Sequence, residues 1–150
     1  MSSRIIATNR KAYHDYFLSD AQEAGIALTG TEIKSVREGR VNLRDSYVQI
    51  RGGQAWLMNV HIAPYPQGNR ANPDPRRDRK LLLHKREIMR LQAAVQEKGL
   101  TIVPLRMYMK DNRAKVEIAL AKGRKLYDKR EALAKRETQR LVEQELKSRR

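Results

Sequence analysis

Alternation of apolar and polar positions marks two hairpins in this chain. Ser46-Tyr47-Val48-Gln49-Ile50-Arg51 and Gln54-Ala55-Trp56-Leu57-Met58 are β-forming runs on either side of Gly52-Gly53. Two adjacent glycines supply the positive φ angles of a tight primed turn. A second hairpin is predicted over 100–121. Ile102, Val103, Leu105, Met107 and Met109 lead into Asp111-Asn112, and Val116, Ile118 and Leu120 then alternate with Lys115, Glu117 and Ala119. That period of two is a strand signal. Pro104 has no N–H to give a ladder, so it predicts an edge or a bulge. His14 to Leu18 and Ala24 to Leu28 are further short strand candidates.

Helical spacing predicts two helices. Thr31 to Arg37 is short and stops before Gly39, a C-terminal cap candidate. His84 to Lys98 is longer, stops at Gly99, and repeats Ile88, Leu91 and Val95 on one face, which Ala94 widens. Between strands and helix, Pro64, Pro66, Pro73 and Pro75 among Gly68, Asn69, Asn72 and Asp74 predict a stiffened loop. It runs into Arg76-Arg77-Asp78-Arg79-Lys80 and then Leu81-Leu82-Leu83. The cluster reads either as a solvated connector or as a loop presenting arginines to phosphates; low entropic cost favours the second. Many short strands with few helices predict a mainly β protein with α elements. The expected architecture is an OB-fold-like antiparallel closed barrel of five or six strands with flanking helices, which removes exposed sheet edges.

Composition sharpens this picture. With 150 residues and 40% hydrophobic content the chain fits one modest core. It has no cysteine, which excludes disulfide scaffolds, Cys-based zinc sites and cysteine nucleophiles. No apolar run approaches the ~20 residues of a membrane span. Met1 to Arg10 lacks a signal-peptide core, so a cytoplasmic protein is expected. The net charge is +15, from 32 basic and 17 acidic residues. An excess of that size repels itself unless a polyanion neutralises it, and nucleic acid is the first candidate. A membrane surface is the weakest reading, because aromatic residues are only 5% of the chain.

The excess is uneven. Residues 122–150 hold 11 basic and 5 acidic groups, with one Gly, no Pro and one aromatic. A boundary is therefore expected between a body, 1–121, and a basic C-terminal tail, 122–150. Leu126, Leu133, Leu141, Val142 and Leu146 give the tail only a ragged apolar stripe. Its helix propensity is high, but isolated helices are marginal and like charges on neighbouring turns repel. The tail is expected to be disordered alone and helical on a polyanion; the alternative is an amphipathic helix docked on the body.

No catalytic constellation emerges. His14, His61 and His84 are far apart, and neither a nucleophile elbow nor a phosphate-binding glycine loop is present. Asp15, Glu23 and Glu32 could hold a metal as in a metal-dependent nuclease, but scattered carboxylates are more often surface charges or ion-pair partners. His61, in a strand pattern, reads as a partly buried hydrogen-bonded residue.

Several stretches together resemble one family. They are Asn9-Arg10-Lys11-Ala12-Tyr13-His14-Asp15-Tyr16, then 23–37 with Glu23-Ala24-Gly25 and Thr31-Glu32-Ile33-Lys34-Ser35-Val36-Arg37, then Asp45-Ser46-Tyr47, Asp74-Pro75-Arg76 and Arg79-Lys80-Leu81-Leu82-Leu83. The last is Ala121-Lys122-Gly123-Arg124-Lys125-Leu126-Tyr127-Asp128-Lys129-Arg130. In order and spacing, from Asn9 to Arg130, this resembles the SsrA-binding proteins, the tmRNA-binding small protein B (SmpB) family.

The resemblance implies a non-enzymatic adaptor of trans-translation. Such a protein binds the tRNA-like domain of tmRNA, carries it to ribosomes stalled on messages lacking a stop codon, and places its tail in the empty mRNA channel near the decoding centre. The implied partners are tmRNA and the 70S ribosome including 16S rRNA, with alanyl-tRNA synthetase and elongation factor Tu acting through tmRNA. It implies a monomer with no cofactor, metal or membrane.

Asn9, Glu23, Arg37, Leu82 and Lys115 match family positions tied to tmRNA. Arg37 and Lys115 suit phosphates, and Asn9 suits a base or ribose edge. Leu82 either packs on an unstacked base or belongs to the core. Glu23 either accepts from a base amino group or orients Arg10 or Lys34. Lys34, Arg76, Arg79 and Lys80 are expected phosphate neighbours on charge, Arg10 and Lys11 join the tmRNA set, and His14 either stacks on RNA, the favoured reading, or is structural. Tyr127, Asp128, Lys129 and Arg130 match a motif used at the ribosome. Tyr127 stands where some members have His; either ring can stack on a base. A permanent ribosomal protein fits the composition equally well, and only the motif set separates the two.

Overall fold

The computed structural model describes residues 3–68, 71–124, 136–137, 139–142 and 144. Its elements run β1 (Ser3–Thr8), α1 (Arg10–Asp15), β2 (Tyr16–Ile26), α2 (Gly30–Arg37), β3 (Val41–Asn42), β4 (Tyr47–Arg51) and β5 (Gln54–Met58). They continue with β6 (His61–Ile62), β7 (Arg79–Leu82), α3 (Lys85–Lys98), β8 (Thr101–Lys110) and β9 (Arg113–Gly123). The protein is thus mainly β with a few helices. Seven strands form one antiparallel sheet in the order β1-β8-β4-β5-β7-β2-β9, β8 also pairs with β9, and β3-β6 is a separate ribbon.

Both expected hairpins are present. Gly52 and Gly53 have φ of 61° and 74° between β4 and β5. The β8–β9 turn reaches the same left-handed region with Asp111 and Asn112, the residue types that tolerate it best after glycine. The register of β8 against β9 shifts between Pro104 and Arg106, the bulge that the proline predicts. Both helices lie where the spacing puts them. α2 carries a capping box between Thr29 and Glu32, and α3 stops at Gly99 with φ of 63°.

The expected strand from His14 to Leu18 is corrected at its start. Asn9 Oδ1 accepts from the Ala12 N–H, which nucleates α1, so β2 begins only at Tyr16. β2 also ends at Ile26, before Leu28.

The main core fills the interior side of the sheet. Leu57, Val60, Met107, Val116 and Ile118 are wholly buried, and Ile88 and Leu91 of α3 pack against them. The helical pattern of α3 therefore serves to cover this core. A smaller buried cluster accompanies it, in which Ala12 of α1 packs with Val103 and Leu105 of β8 and Ala119 and Ala121 of β9. β9 runs to Gly123, two residues past the expected boundary at Ala121, because Tyr16 and Phe17 still pair with Gly123 and Lys122. The described tail residues from Arg136 to Gln144 are helical and exposed. No helix among the described residues is long and apolar enough to cross a membrane.

Candidate nucleic-acid interface

Gly25 in β2 is the centre of the most suggestive surface. It pairs with Leu82 of β7 on one side and Lys115 of β9 on the other. Having no side chain, it leaves room for Leu82 to lie on the sheet: a Cβ there would sit 3.1 Å from Leu82 Cβ. Leu82 is 55% exposed, which removes the core reading for it, whereas its neighbour Leu81 is 1% exposed and supplies the buried position. Strand alternation puts the two on opposite faces. Two residues before Gly25, on the same face of β2, stands Glu23. The structure therefore gathers Glu23, Leu82 and Lys115, far apart in sequence, around one open depression that Lys80 also lines.

The Glu23 carboxylate is oriented from behind. Tyr108 donates its hydroxyl to Oε2, and Lys110 Nζ lies 3.5 Å from the same oxygen. These partners replace the expected Arg10 or Lys34. Glu23 Oε1 makes no hydrogen bond among the described residues. The Tyr108 bond, outweighing partial burial, holds Glu23 below the ordinary carboxylate value; Lys110 and Lys115 add to it. Burial, then the Glu23 bond, pushes the Tyr108 phenol above its usual value. Tyr108 and Lys110 were not found from sequence. Their signal was the two-residue alternation of β8 beside the paired Lys115, visible only once register is known.

The α1 residues form a separate group. Arg10 and His14 are exposed, His14 bonding Asp15 at 2.9 Å, and Lys11 reaches Asp45 at 2.6 Å. That contact, led by the Lys11 hydrogen bond, lowers the Asp45 pKa. Asn9 is 5% exposed, and both ends of its amide serve the fold: Oδ1 caps α1 and Nδ2 donates to the Pro104 carbonyl at 2.9 Å. Lys34 stacks over Tyr65 with 5.3 Å to the ring centre. Arg37 is exposed at the end of α2, where its carbonyl accepts from Arg4. Arg76 donates to the Asn59 side chain at 3.0 Å. Among the described residues, the side chains of Arg10, Arg37 and Lys80 make no hydrogen bond or ion pair.

Arg79 requires correction. The expectation from charge placed it at a phosphate, but it is 0% exposed. It donates to Glu32 at 2.6 Å, to the Val60 carbonyl at 2.7 Å and to the Pro75 carbonyl at 3.0 Å. Alternation on β7 explains this, since Arg79 and Leu81 face inward while Lys80 and Leu82 face outward. Glu32 also accepts from Arg77 at 2.5 Å and from the Thr29 N–H at 2.9 Å. Burial pushes the Glu32 carboxyl up, but the Arg77, Thr29 and Arg79 bonds outweigh it and the net shift is downward. Asp15, Glu23 and Glu32 are thus engaged in three different places, and among the described residues no three His, Asp or Glu side chains converge for a metal. His61 is half-buried in β6. Tyr127, Asp128, Lys129 and Arg130 lie outside the described residues.

These features define a strongly basic, mainly β protein that spends some charges inside and presents others around an exposed leucine. Comparison places it: residues 6–148 match the model of the SmpB protein family, so the chain belongs to that family. It is 62% identical over 146 residues to the SsrA-binding protein of Carboxydothermus hydrogenoformans, covering 97% of this chain and 98% of that one. It is 58% identical to the SsrA-binding protein of Roseiflexus castenholzii over 147 residues, 97% and 93% of the two chains. A solved structure described as "tmRNA-SmpB: a journey to the center of the bacterial ribosome" superposes with a TM-score of 0.66 at 51% identity, covering 78% of this chain and 82% of that one.

Proposed function

We propose that this protein is a tmRNA-binding adaptor of trans-translation, acting without catalysis in the cytoplasm as a monomer. The body binds the tRNA-like domain of tmRNA and brings it to ribosomes stalled on messages without a stop codon. The tail, which follows β9, acts in the empty mRNA channel near the decoding centre, with Tyr127, Asp128, Lys129 and Arg130 as its contacts to 16S rRNA. Alanyl-tRNA synthetase and elongation factor Tu act with it through tmRNA.

The observation that carries this reading is the meeting of Glu23, Leu82 and Lys115 around Gly25. An apolar side chain held out of the core suits an unstacked base, a carboxylate with a free oxygen suits a base amino group, and flanking cations suit phosphates. Lys80 lines the same depression, Arg10, Lys11, His14, Lys34, Arg37 and Arg76 act as further RNA contacts outside it, and Asn9 serves them by holding α1. The pairings β8-β4-β5-β7-β2-β9 return to β8, which supports an OB-type closed barrel as the body.

A competition gel shift tests the reading. Labelled tRNA-like domain of tmRNA is bound near physiological salt and challenged with excess bulk tRNA. Survival of the complex is expected. Ready displacement would mean that charge alone binds, and a general ribosomal RNA-binding role would replace the adaptor. For single-stranded RNA, log K should fall with log salt by about 0.7 for each phosphate neutralised.

A further inference from the structure

The first residue after β9 is tied back onto the body. The Arg124 guanidinium carbon lies 4.2 Å from the centre of the Phe17 ring, and Arg124 Nε donates to the Tyr16 carbonyl at 3.1 Å. Both partners belong to β2, whose first rung, Tyr16 with Gly123, is also the last rung of β9. Tyr16 is at the same time the C-terminal cap of α1. One arginine therefore joins the root of the tail to the end of α1 by a stacked ring and a directed hydrogen bond. Phe17 is 38% exposed, so the ring is not there to fill the core. A guanidinium suits this contact better than an ammonium, because it can stack and donate in its plane together.

We propose that Arg124 and Phe17 form an anchor that fixes the point and direction from which the basic tail leaves the body. Arg124 is a positioning residue in this role, not an RNA contact. The inference rests on the reading that body and tail act at different places on one assembly. A tail must then start from a fixed point to reach a distant site while the body stays bound, since a loose root spreads the tail over a larger volume and lowers its effective concentration at the target.

The chain has no cysteine, so a labelled pair can be introduced without background. Spin labels at Glu97→Cys on α3 and Leu126→Cys beyond the anchor report the root in the free full-length protein by pulsed EPR. A narrow distance distribution is expected in the parent. It should broaden in Arg124→Ala and equally in Phe17→Leu, which keeps the apolar bulk and loses the ring, and the double variant should be no broader than either. Arg124→Lys should restore it only in part. An unchanged distribution in both single variants overturns the anchor, whatever the protein binds.

Function gives a second readout. In both variants, affinity for the tRNA-like domain should stay within twofold while peptide tagging on stalled ribosomes falls about tenfold. If Arg124→Ala weakens RNA binding and Phe17→Leu does not, Arg124 is a phosphate contact and the proposal is wrong.

Discussion

Glu23 and Glu32 stand nine residues apart, both bonded to donors and both held below the ordinary carboxylate value. Their settings are opposite. The Glu32 side chain is 3% exposed, and its two oxygens accept from Arg77, Arg79 and the Thr29 N–H. The Glu23 side chain is 37% exposed, and Tyr108 and Lys110 both approach one oxygen. A carboxylate whose lone pairs are taken by its own fold offers nothing to a partner. One that is oriented on one side and open on the other is prepared for a donor from outside. A lowered pKa alone does not separate structural from functional carboxylates; the number of free acceptor positions does.

The strongest test of this contrast is Glu32→Ala. It leaves the wholly buried Arg79 guanidinium without a counter-ion and frees the loop ending in β7 from α2. Breaking a buried pair typically costs about 3–5 kcal/mol, so urea unfolding should show a loss of that size. The pH dependence has a definite sign. Because the folded-state pKa lies below the ordinary 4.5, the stabilisation is fully present above that value and fades as pH falls through the lower folded value. Glu32→Gln should therefore give a flatter stability curve below pH 4.5 than the parent. Curves that stay parallel on acidification would show that Glu32 carries no linked proton.

Leu81 and Leu82 repeat the contrast with apolar side chains. Leu81→Ala opens a cavity in the core and should cost about 2–5 kcal/mol. Leu82→Ala removes a side chain already 55% exposed and should change stability by no more than about 0.5 kcal/mol. RNA affinity should rank them the other way, with Leu82→Ala the weaker binder at a temperature where both are folded. Equal affinities would remove Leu82 from the interface. Gly25→Ala should weaken binding less than Leu82→Ala does, because the new Cβ, 3.1 Å from Leu82 Cβ, makes that leucine shift by a few tenths of an ångström without removing it.

The sequence made these elements unequally legible. Both hairpins, α2 and α3 declare themselves through period and turn residues, which are local. So does the Pro104 bulge. β7 did not, because Arg79-Lys80-Leu81-Leu82 reads as a charge cluster followed by an apolar run. Its alternation appears only once Arg79 is known to be inside, and a buried arginine requires a carboxylate from 47 residues away. Charge counting therefore placed Arg79 on the surface for the same reason that it placed Arg76 and Lys80 there. Glu23, Leu82 and Lys115 were each named, through family resemblance, but their meeting at Gly25 depends on sheet register, which composition does not encode. β3 and β6 have two residues each, too few for any period to show, and the six residues of β1, with Ile5, Ile6 and Ala7 in a row, do not alternate.

The smallest expected effect separates the two halves of the Glu23–Tyr108 pair. The hydrogen bond from Tyr108 is the largest influence holding Glu23 down, whereas burial is the largest influence raising Tyr108. The pair should therefore respond asymmetrically. In Tyr108→Phe, a carboxyl NMR titration should show Glu23 moving up towards 4.5. In Glu23→Gln, absorbance titration should show that the Tyr108 phenol still ionises above its ordinary 10.0. The stability terms have opposite signs. The Glu23 contribution is lost as pH falls through its lowered folded value, and the Tyr108 contribution is lost as pH rises towards its raised one. Tyr108→Phe should cost only about 0.5–1.5 kcal/mol, the net worth of one hydrogen bond. Its effect on binding should be smaller than that of Glu23→Ala, since the carboxylate remains but is no longer aimed. If Tyr108→Phe leaves both the Glu23 titration and RNA affinity unchanged, the carboxylate is placed by Lys110 and β2 alone, and orientation from behind is not what distinguishes it from Glu32.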